Sequence, residues 1–248
     1  MDRLENLKNI IMYLMADEHV SHRIPSTLEE RQRMMRALMN VWEPRLIAED
    51  FLMKQDVELQ MQREDKGVVE FHDEGLTIWQ GDITRLKVDA IVNAANAQAL
   101  GCWAPLHNCI DNCIHSAAGI RLRKECADKM QGRLLATGDA FITQGYNLPA
   151  RHVIHTVGPI IPDGIPTKEQ EEQLAQCYRS CLDLAEQNGL ESIAFCCIST
   201  GVFHFPNELA ARIAIETVKS YPRHALKTIV FNVFLDKDRD IYQQLLGA

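Results

Sequence analysis

No stretch of about eighteen consecutive apolar residues occurs in the 248-residue chain, so no transmembrane helix is expected. The opening segment, MDRLENLKNIIMYLMADEH, carries charges throughout. It has neither an unbroken apolar core nor a small-residue cleavage site, so it does not read as a secretory signal. The expectation is a cytoplasmic protein with no membrane partner. Basic charge is also scarce: 26 Lys and Arg face 34 Asp and Glu, a net charge of -8. Without a basic footprint, general nucleic-acid binding is disfavoured, although backbone amides can still hold a phosphate locally. Cysteine is absent before Cys102, and all eight cysteines lie from Cys102 onward. In a cytosolic chain these are thiols rather than a disulfide frame. No internal repeat or low-complexity segment is present. A chain of this length buries a full core unaided, so a metal site would be functional rather than a condition of folding.

What is present divides near Gly67. Before it, Leu4, Leu7, Ile11 and Leu14 follow a helical period. IPSTLEE offers Ser26 as an N-cap with Glu29 three places on, a capping box. Leu28, Met35, Leu38 and Val41 continue an apolar stripe, and a third helix is expected after Pro44 with Leu46, Ile47, Phe51 and Leu52 inward. The polar run QREDKG reads as the hinge, giving a helical extension over residues 1–66 and a second region over 67–248. There the pattern changes. LTIWQ, DAIVNA, AFITQ, HVIHTV, SIAFCCI and KTIVFNVFL are strand candidates. Helical stretches lie near Asp111–Lys129, Thr167–Asn188, Asn207–Tyr221 and after Asp236. Alternation of this kind predicts a three-layer α/β domain. In such a domain ligands gather beyond the carboxyl ends of the strands.

Those strand ends carry the chemistry. Cys102, His107 and Cys109 form a C-x4-H-x-C loop, and thiolates with an imidazole are a zinc ligand set. Three ligands leave a fourth position open, the catalytic arrangement; a closed structural site with Cys113 or Cys126 as fourth ligand is the alternative, and a chance grouping of three polarizable residues is another. Asp111 reads either as the N-cap of the following helix or as a carboxylate that orients or deprotonates water. Asn93 and Asn96 either cap a turn or hydrogen-bond a sugar hydroxyl. STGVFHFP, Ser199 to Pro206, is an ordinary turn or an anion nest of backbone amides, with Phe203 or Phe205 over a ribose face. Asp82, in GDIT, is a loop aspartate or the acceptor for an exocyclic amine. Cys177 and Cys181, four apart on one helix, read as small buried apolar residues.

In order, GDIT, DAIVNAANAQALG, CIDNCIHSAAG, ATGDAFITQGYNLPARHVIHTVGP, CISTGVFHFP and FNVFLDKDRDIY resemble the macrodomain family, whose members bind ADP-ribose, from about Leu76 to Tyr242. One departure is informative. Where hydrolytic macrodomains usually have a glycine-rich loop, GCWAPLHNC stands, similar to a zinc-containing bacterial branch that also carries a long helical N-terminus. The resemblance implies an α/β/α macrodomain with a mixed central sheet, and Zn2+ on Cys102, His107 and Cys109. It places Asp82 and Ile83 at the adenine and Asn96 at the distal ribose. Ile110, Asp111 and Asn112 would line the ribose and diphosphate, and Ser199, Thr200, Gly201, Val202 and Phe203 would wrap the phosphates. Asp111 and Asn96 would be catalytic, and Phe234 a weaker candidate near adenine. His204 occupies a position often taken by glycine. The implied activity is hydrolysis of mono-ADP-ribose from a protein side chain. A non-catalytic ADP-ribose reader and an O-acetyl-ADP-ribose deacetylase are the alternatives. The branch is associated with a sirtuin-like ADP-ribosyltransferase and a lipoyl-carrier protein as modified target. The N-terminal helices would brace the domain or recognise that protein.

Overall fold

The computed structural model describes residues 2–247. Three helices come first: α1 (Arg3–Asp17), α2 (Leu28–Val41) and α3 (Glu49–Lys66). Leu7, Ile10, Ile11 and Leu14 of α1 are wholly buried against Met35, Trp42, Phe51 and Leu59, and this cluster reaches across to Ile120 of a later helix. Several sequence expectations shift here. The cap of α2 is Thr27, not Ser26. Its hydroxyl accepts from the Glu30 amide and donates to the Glu30 carboxylate, so the cap lies one residue on and the reciprocal bond of a capping box is replaced by a hydroxyl–carboxylate bond. Leu46 is 93% exposed, because α3 starts at Glu49 rather than just after Pro44. Leu28 and Val41, at the two ends of α2, are also exposed. QREDK is the last turn of α3, and the break falls on Gly67 at φ 75°, a conformation that glycine adopts without cost.

The second region holds eight strands and five helices among the described residues. The strands are β1 (Val69–Glu70), β2 (Gly75–Gln80), β3 (Leu86–Lys87), β4 (Ala90–Ala94), β5 (Ala140–Gln144), β6 (His152–Thr156), β7 (Ser192–Phe195) and β8 (Thr228–Val233). The helices are α4 (Ile110–Ala118), α5 (Ile120–Met130), α6 (Lys168–Gln187), α7 (Asn207–Ser220) and α8 (Asp236–Leu246). Every strand candidate falls on a strand of the main sheet. The β1–β3 pair, two residues each, was too short to show a period. The main sheet has the order β2-β8-β7-β4-β6-β5. All neighbours are parallel except the β5–β6 pair, so the sheet is mixed.

Handedness places the layers. The chain leaves β4 towards β6 in one direction and returns from β6 to β7 in the other. Right-handed crossovers in opposite directions lie on opposite faces. This puts α4 and α5 on one face and the contiguous α6, α7 and α8 on the other. The α/β/α fold follows. The expected single helix over Asp111–Lys129 is two, broken at Gly119. There φ is 95°, and a Cβ would come within 2.8 Å of the Gln55 amide of α3. That close approach seats the helical extension on α4 and α5. The carboxyl ends of β2, β8, β7, β4 and β6 share one edge, and the strand order reverses between β4 and β7, the place where open α/β sheets bind ligands.

Candidate active site

Strand β4 is buried on both faces, and it delivers Asn93 and then Asn96 to that edge. Opposite them, α4 begins with Cys109 as its N-cap, whose sulfur accepts from the Asn112 amide at 3.4 Å. Asp111 therefore sits in the first turn of α4 rather than at the cap. Its carboxylate is held at both oxygens: Asn93 Nδ2 donates to Oδ1 at 2.8 Å and Asn96 Nδ2 to Oδ2 at 3.3 Å. Burial pushes its pKa up to about 6, against the pull of the Asn93 bond and of the Arg123 charge. Asn96 is fixed in turn, since its Oδ1 accepts from the amides of Gln98 and Ala99 and its Nδ2 also donates to the Gly101 carbonyl. Asn96 thus caps a turn, and the two asparagines orient the carboxylate together.

The donor atoms of Cys102, His107 and Cys109 lie within 4.8 Å of one another, with Cys102 Sγ 3.7 Å from His107 Nδ1. Ligands about 2.0–2.3 Å from one tetrahedral ion are spaced in this way, so the donor set fits zinc by chemistry and by separation. Burial, with the Cys102 sulfur and Asp111 nearby, pushes the Cys109 thiol up to about 12. Cys113 and Cys126 are not in this set. Cys113 lies beside Arg36, and Cys126 is buried beside His155. Cys177 and Cys181 are fully buried core residues.

The β7–α7 loop forms the opposite wall. Ser199 adopts φ 65° and His204 φ 59°, so His204 stands where the backbone itself favours glycine. Among the described residues, the amides of Gly201, Val202 and Phe203 donate to no protein acceptor, and the buried Ser199 hydroxyl has no partner. Thr200 Oγ1 donates to the Cys197 carbonyl at 3.0 Å, and the Phe203 carbonyl accepts from the Ile161 amide at 2.8 Å. Phe205 is buried in the core and covers nothing, whereas Phe203 remains half-buried. Gly158, two residues beyond the end of β6, makes the close approach possible. A Cβ there would fall 1.9 Å from Ser199 Oγ and 3.2 Å from its Cβ. Gly158→Ala is expected to cost about 1–3 kcal/mol of stability and to weaken binding of any ligand held by this loop. Thermal melting and calorimetric titration would show both, and adding Ser199→Ala should relieve part of the loss.

At the far end, Asp82 caps a 3-10 turn over Ile83–Arg85. Its Oδ1 accepts from Thr84 N and Oγ1, and its Oδ2 from Lys66 Nζ at 3.1 Å. Burial works to raise the Asp82 pKa, but Lys66 and the Thr84 bonds hold it below the ordinary value. The Ile83 side chain is buried in the core, so only its main chain can meet a ligand. Ile110 is half-buried at the start of α4. Asn112 departs from expectation. Its side chain is fully buried and committed to Arg36, Ser116 and the Ala104 carbonyl, leaving it nothing to offer a ribose. Phe234 is 71% exposed.

Two further groups escaped the sequence reading. Arg123 is buried in α5, lies over the Trp103 ring at 4.2 Å and donates to the Asn40 and Trp42 carbonyls. Its place among Ile120, Leu122, Cys126 and Met130 on the buried stripe was the available signal. His115, Cys126 and His155 form a closed interior set. His155 Nδ1 meets Asn93 Nδ2 at 3.1 Å and Nε2 meets Thr143 Oγ1 at 2.9 Å, so Nε2 carries the proton. Burial lowers the His155 pKa to about 3 and holds that of His115 well below its ordinary value. Both are neutral in the native state. As pH falls below about 6.5 the unfolded chain binds protons that the folded one refuses. The contribution of the two histidines is thus complete above that pH and declines towards pH 3, by up to ~1.4 kcal/mol per unit for each. In urea titrations from pH 7 to 5, His155→Gln should show the shallower decline.

This sheet edge, with its asparagine-held aspartate and amide loop, is that of a macrodomain. A family model described as Macro domain matches residues 92–214, and the chain belongs to that family. Over nearly its whole length it is similar to the protein-ADP-ribose hydrolase of Staphylococcus aureus (strain MSSA476), 44% identical over 98% of this chain and 97% of that protein. It is also similar to the protein-ADP-ribose hydrolase of Treponema medium, 46% identical over 96% and 97%. Among solved structures, a mutant Oceanobacillus iheyensis macrodomain with ADPR is 40% identical, with a TM-score of 0.64 over 71% of this chain and 94% of that one. A Trypanosoma brucei macrodomain in complex with ADP-ribose is 31% identical, with a TM-score of 0.64 over 84% and 94%.

Proposed function

We propose that the protein is a zinc-dependent hydrolase that removes mono-ADP-ribose from modified protein side chains. The observation that carries this is Asp111, buried in the first turn of α4 with both oxygens held by the amides of Asn93 and Asn96, next to the Cys109 member of the thiol–imidazole trio. The names of relatives alike over almost the whole length support the activity. The open amides of Gly201, Val202 and Phe203 and the unpaired Ser199 hydroxyl suit a diphosphate. Asp82 retains acceptor capacity on Oδ2 for an adenine amine. On this reading residues 1–66 are a helical extension to a macrodomain over 67–248. No helix among the described residues is long and apolar enough to cross a membrane, and the eight free cysteines suit a reducing cytoplasm.

In hydrolysis at the anomeric carbon, the bond to the protein side chain breaks with its electron pair leaving on the side chain, positive charge builds on the sugar, and the oxygen of water forms the new bond to that carbon. The Asp111 carboxylate accepts the proton of the attacking water and, being negative, stabilises that charge. Asn93 and Asn96 keep it from rotating away. Zinc held by Cys102, His107 and Cys109 would supply a Lewis acid that polarises oxygen and orients the sugar hydroxyls. The test is incubation with protein carrying labelled mono-ADP-ribose. A lipoyl-carrier protein modified by a sirtuin-like ADP-ribosyltransferase is the substrate singled out by the resemblance. Release of free ADP-ribose supports the hydrolase. Label that persists despite tight ADP-ribose binding makes the protein a reader instead.

A further inference from the structure

The loop from Cys102 to Cys109 has no regular secondary structure, and Leu106 within it adopts φ 60°. A non-glycine residue in the left-handed region persists only where its surroundings enforce it. Here the surroundings come from α2, outside the sheet. Asn40 is buried, accepts from the Leu106 amide at 2.9 Å and donates to Ser116 Oγ of α4 at 3.0 Å. Arg36, one turn earlier, donates from Nη2 to the His107 carbonyl at 2.8 Å and to Asn112 Oδ1 at 2.9 Å. Asn112 is the residue whose amide binds Cys109 Sγ, and its side chain ties back to the Ala104 carbonyl. Arg123 joins the same network, linking the Asn40 carbonyl to the Cys102 carbonyl at 3.5 Å. Each of the three donor residues is therefore reached from α2 either directly or through one intermediate.

We infer that Arg36 and Asn40 are positioning residues of the metal site, and that α2 sets how tightly the Cys102–Cys109 loop retains its ion. This rests on the zinc reading above. Groups that orient metal ligands change affinity by roughly 10–100-fold when removed, and a loop whose one internal backbone hydrogen bond runs from the His107 amide to the Ala104 carbonyl depends on them more than a helix would. Recognition of a protein partner by this part of α2 would instead need these side chains turned outward, and Asn40 is 1% exposed.

The experiment measures zinc affinity of the full-length chain by competition with a chromophoric chelator, beside thermal melting. Arg36→Ala and Asn40→Ala are compared with wild type. The control is Arg31→Ala, an α2 arginine that donates to the Pro25 and Leu4 carbonyls and lies away from the loop. The expected result is zinc binding weakened about 10–100-fold in Arg36→Ala and Asn40→Ala and unchanged in Arg31→Ala. If Asn40→Ala does not fold, the half-buried Arg36 decides alone. Wild-type affinity in a folded Arg36→Ala overturns the inference while leaving the zinc reading in place. A wild-type chain that takes up no zinc overturns the zinc reading, and the inference with it.

Discussion

Cys102→Ala is expected to abolish zinc retention and to lower ADP-ribose release by roughly 100-fold or more, a floor set by what loss of a mere supporting contact costs at a metal. The reason is geometric. Cys102 and Cys109 lie at opposite ends of an eight-residue span, and His107 alone cannot close the loop around an ion. With one sulfur gone, a thiol and an imidazole remain, too few for a stable zinc site. The fold should survive, because Cys102 lies outside the hydrophobic core and its side chain meets only the other two members of the trio, His107 and Cys109. Elemental analysis of the purified variant, its melting curve and a release assay measure the three effects together. Two thiolates weaken the Lewis acidity of the ion they bind, so orientation of the sugar is as consistent with this result as activation of water. Full turnover in verified zinc-free protein would remove the metal from the reaction.

Asp111→Asn is expected to lower turnover by about 10²–10⁴-fold, the range for loss of a general acid–base group, while ADP-ribose binding and zinc content persist. The substitution preserves shape but puts an amide where Asn93 and Asn96 both present donors. One of those amides loses its acceptor, at a cost of about 1–3 kcal/mol, so a modest fall in melting temperature should accompany the kinetic loss. Single-turnover release with labelled protein separates the chemical step from binding. Wild-type rates from this variant would move the proton-accepting role elsewhere.

The main sheet was legible because its strands are short, strongly patterned and separated by polar loops; even DAIVNA, buried on both faces, reads as a strand by its length and flanks. The thiol–imidazole trio was legible as well, since all its members lie within eight consecutive positions. What local pattern could not show was anything set by distant pairing. Asn112 looks like a pocket residue from its neighbours, yet Arg36, 76 residues away, claims its side chain. Ile83 follows Asp82 in sequence but turns into the core. The break at Gly119 depends on Gln55 pressing from another helix, a contact that no helical period encodes. The start of α3 was misplaced because Pro44 signals a helix start that the chain delays until Glu49.

The dependence of the Cys102–Cys109 span on α2 bears on protein engineering. Moving GCWAPLHNC alone into a shorter macrodomain would carry the sulfurs and the imidazole but leave behind the two side chains that keep Leu106 and the His107 carbonyl in register. On the zinc reading proposed above, a transplant meant to hold metal would need to bring along the first three helices, or an artificial splint presenting one amide and one guanidinium at the same points.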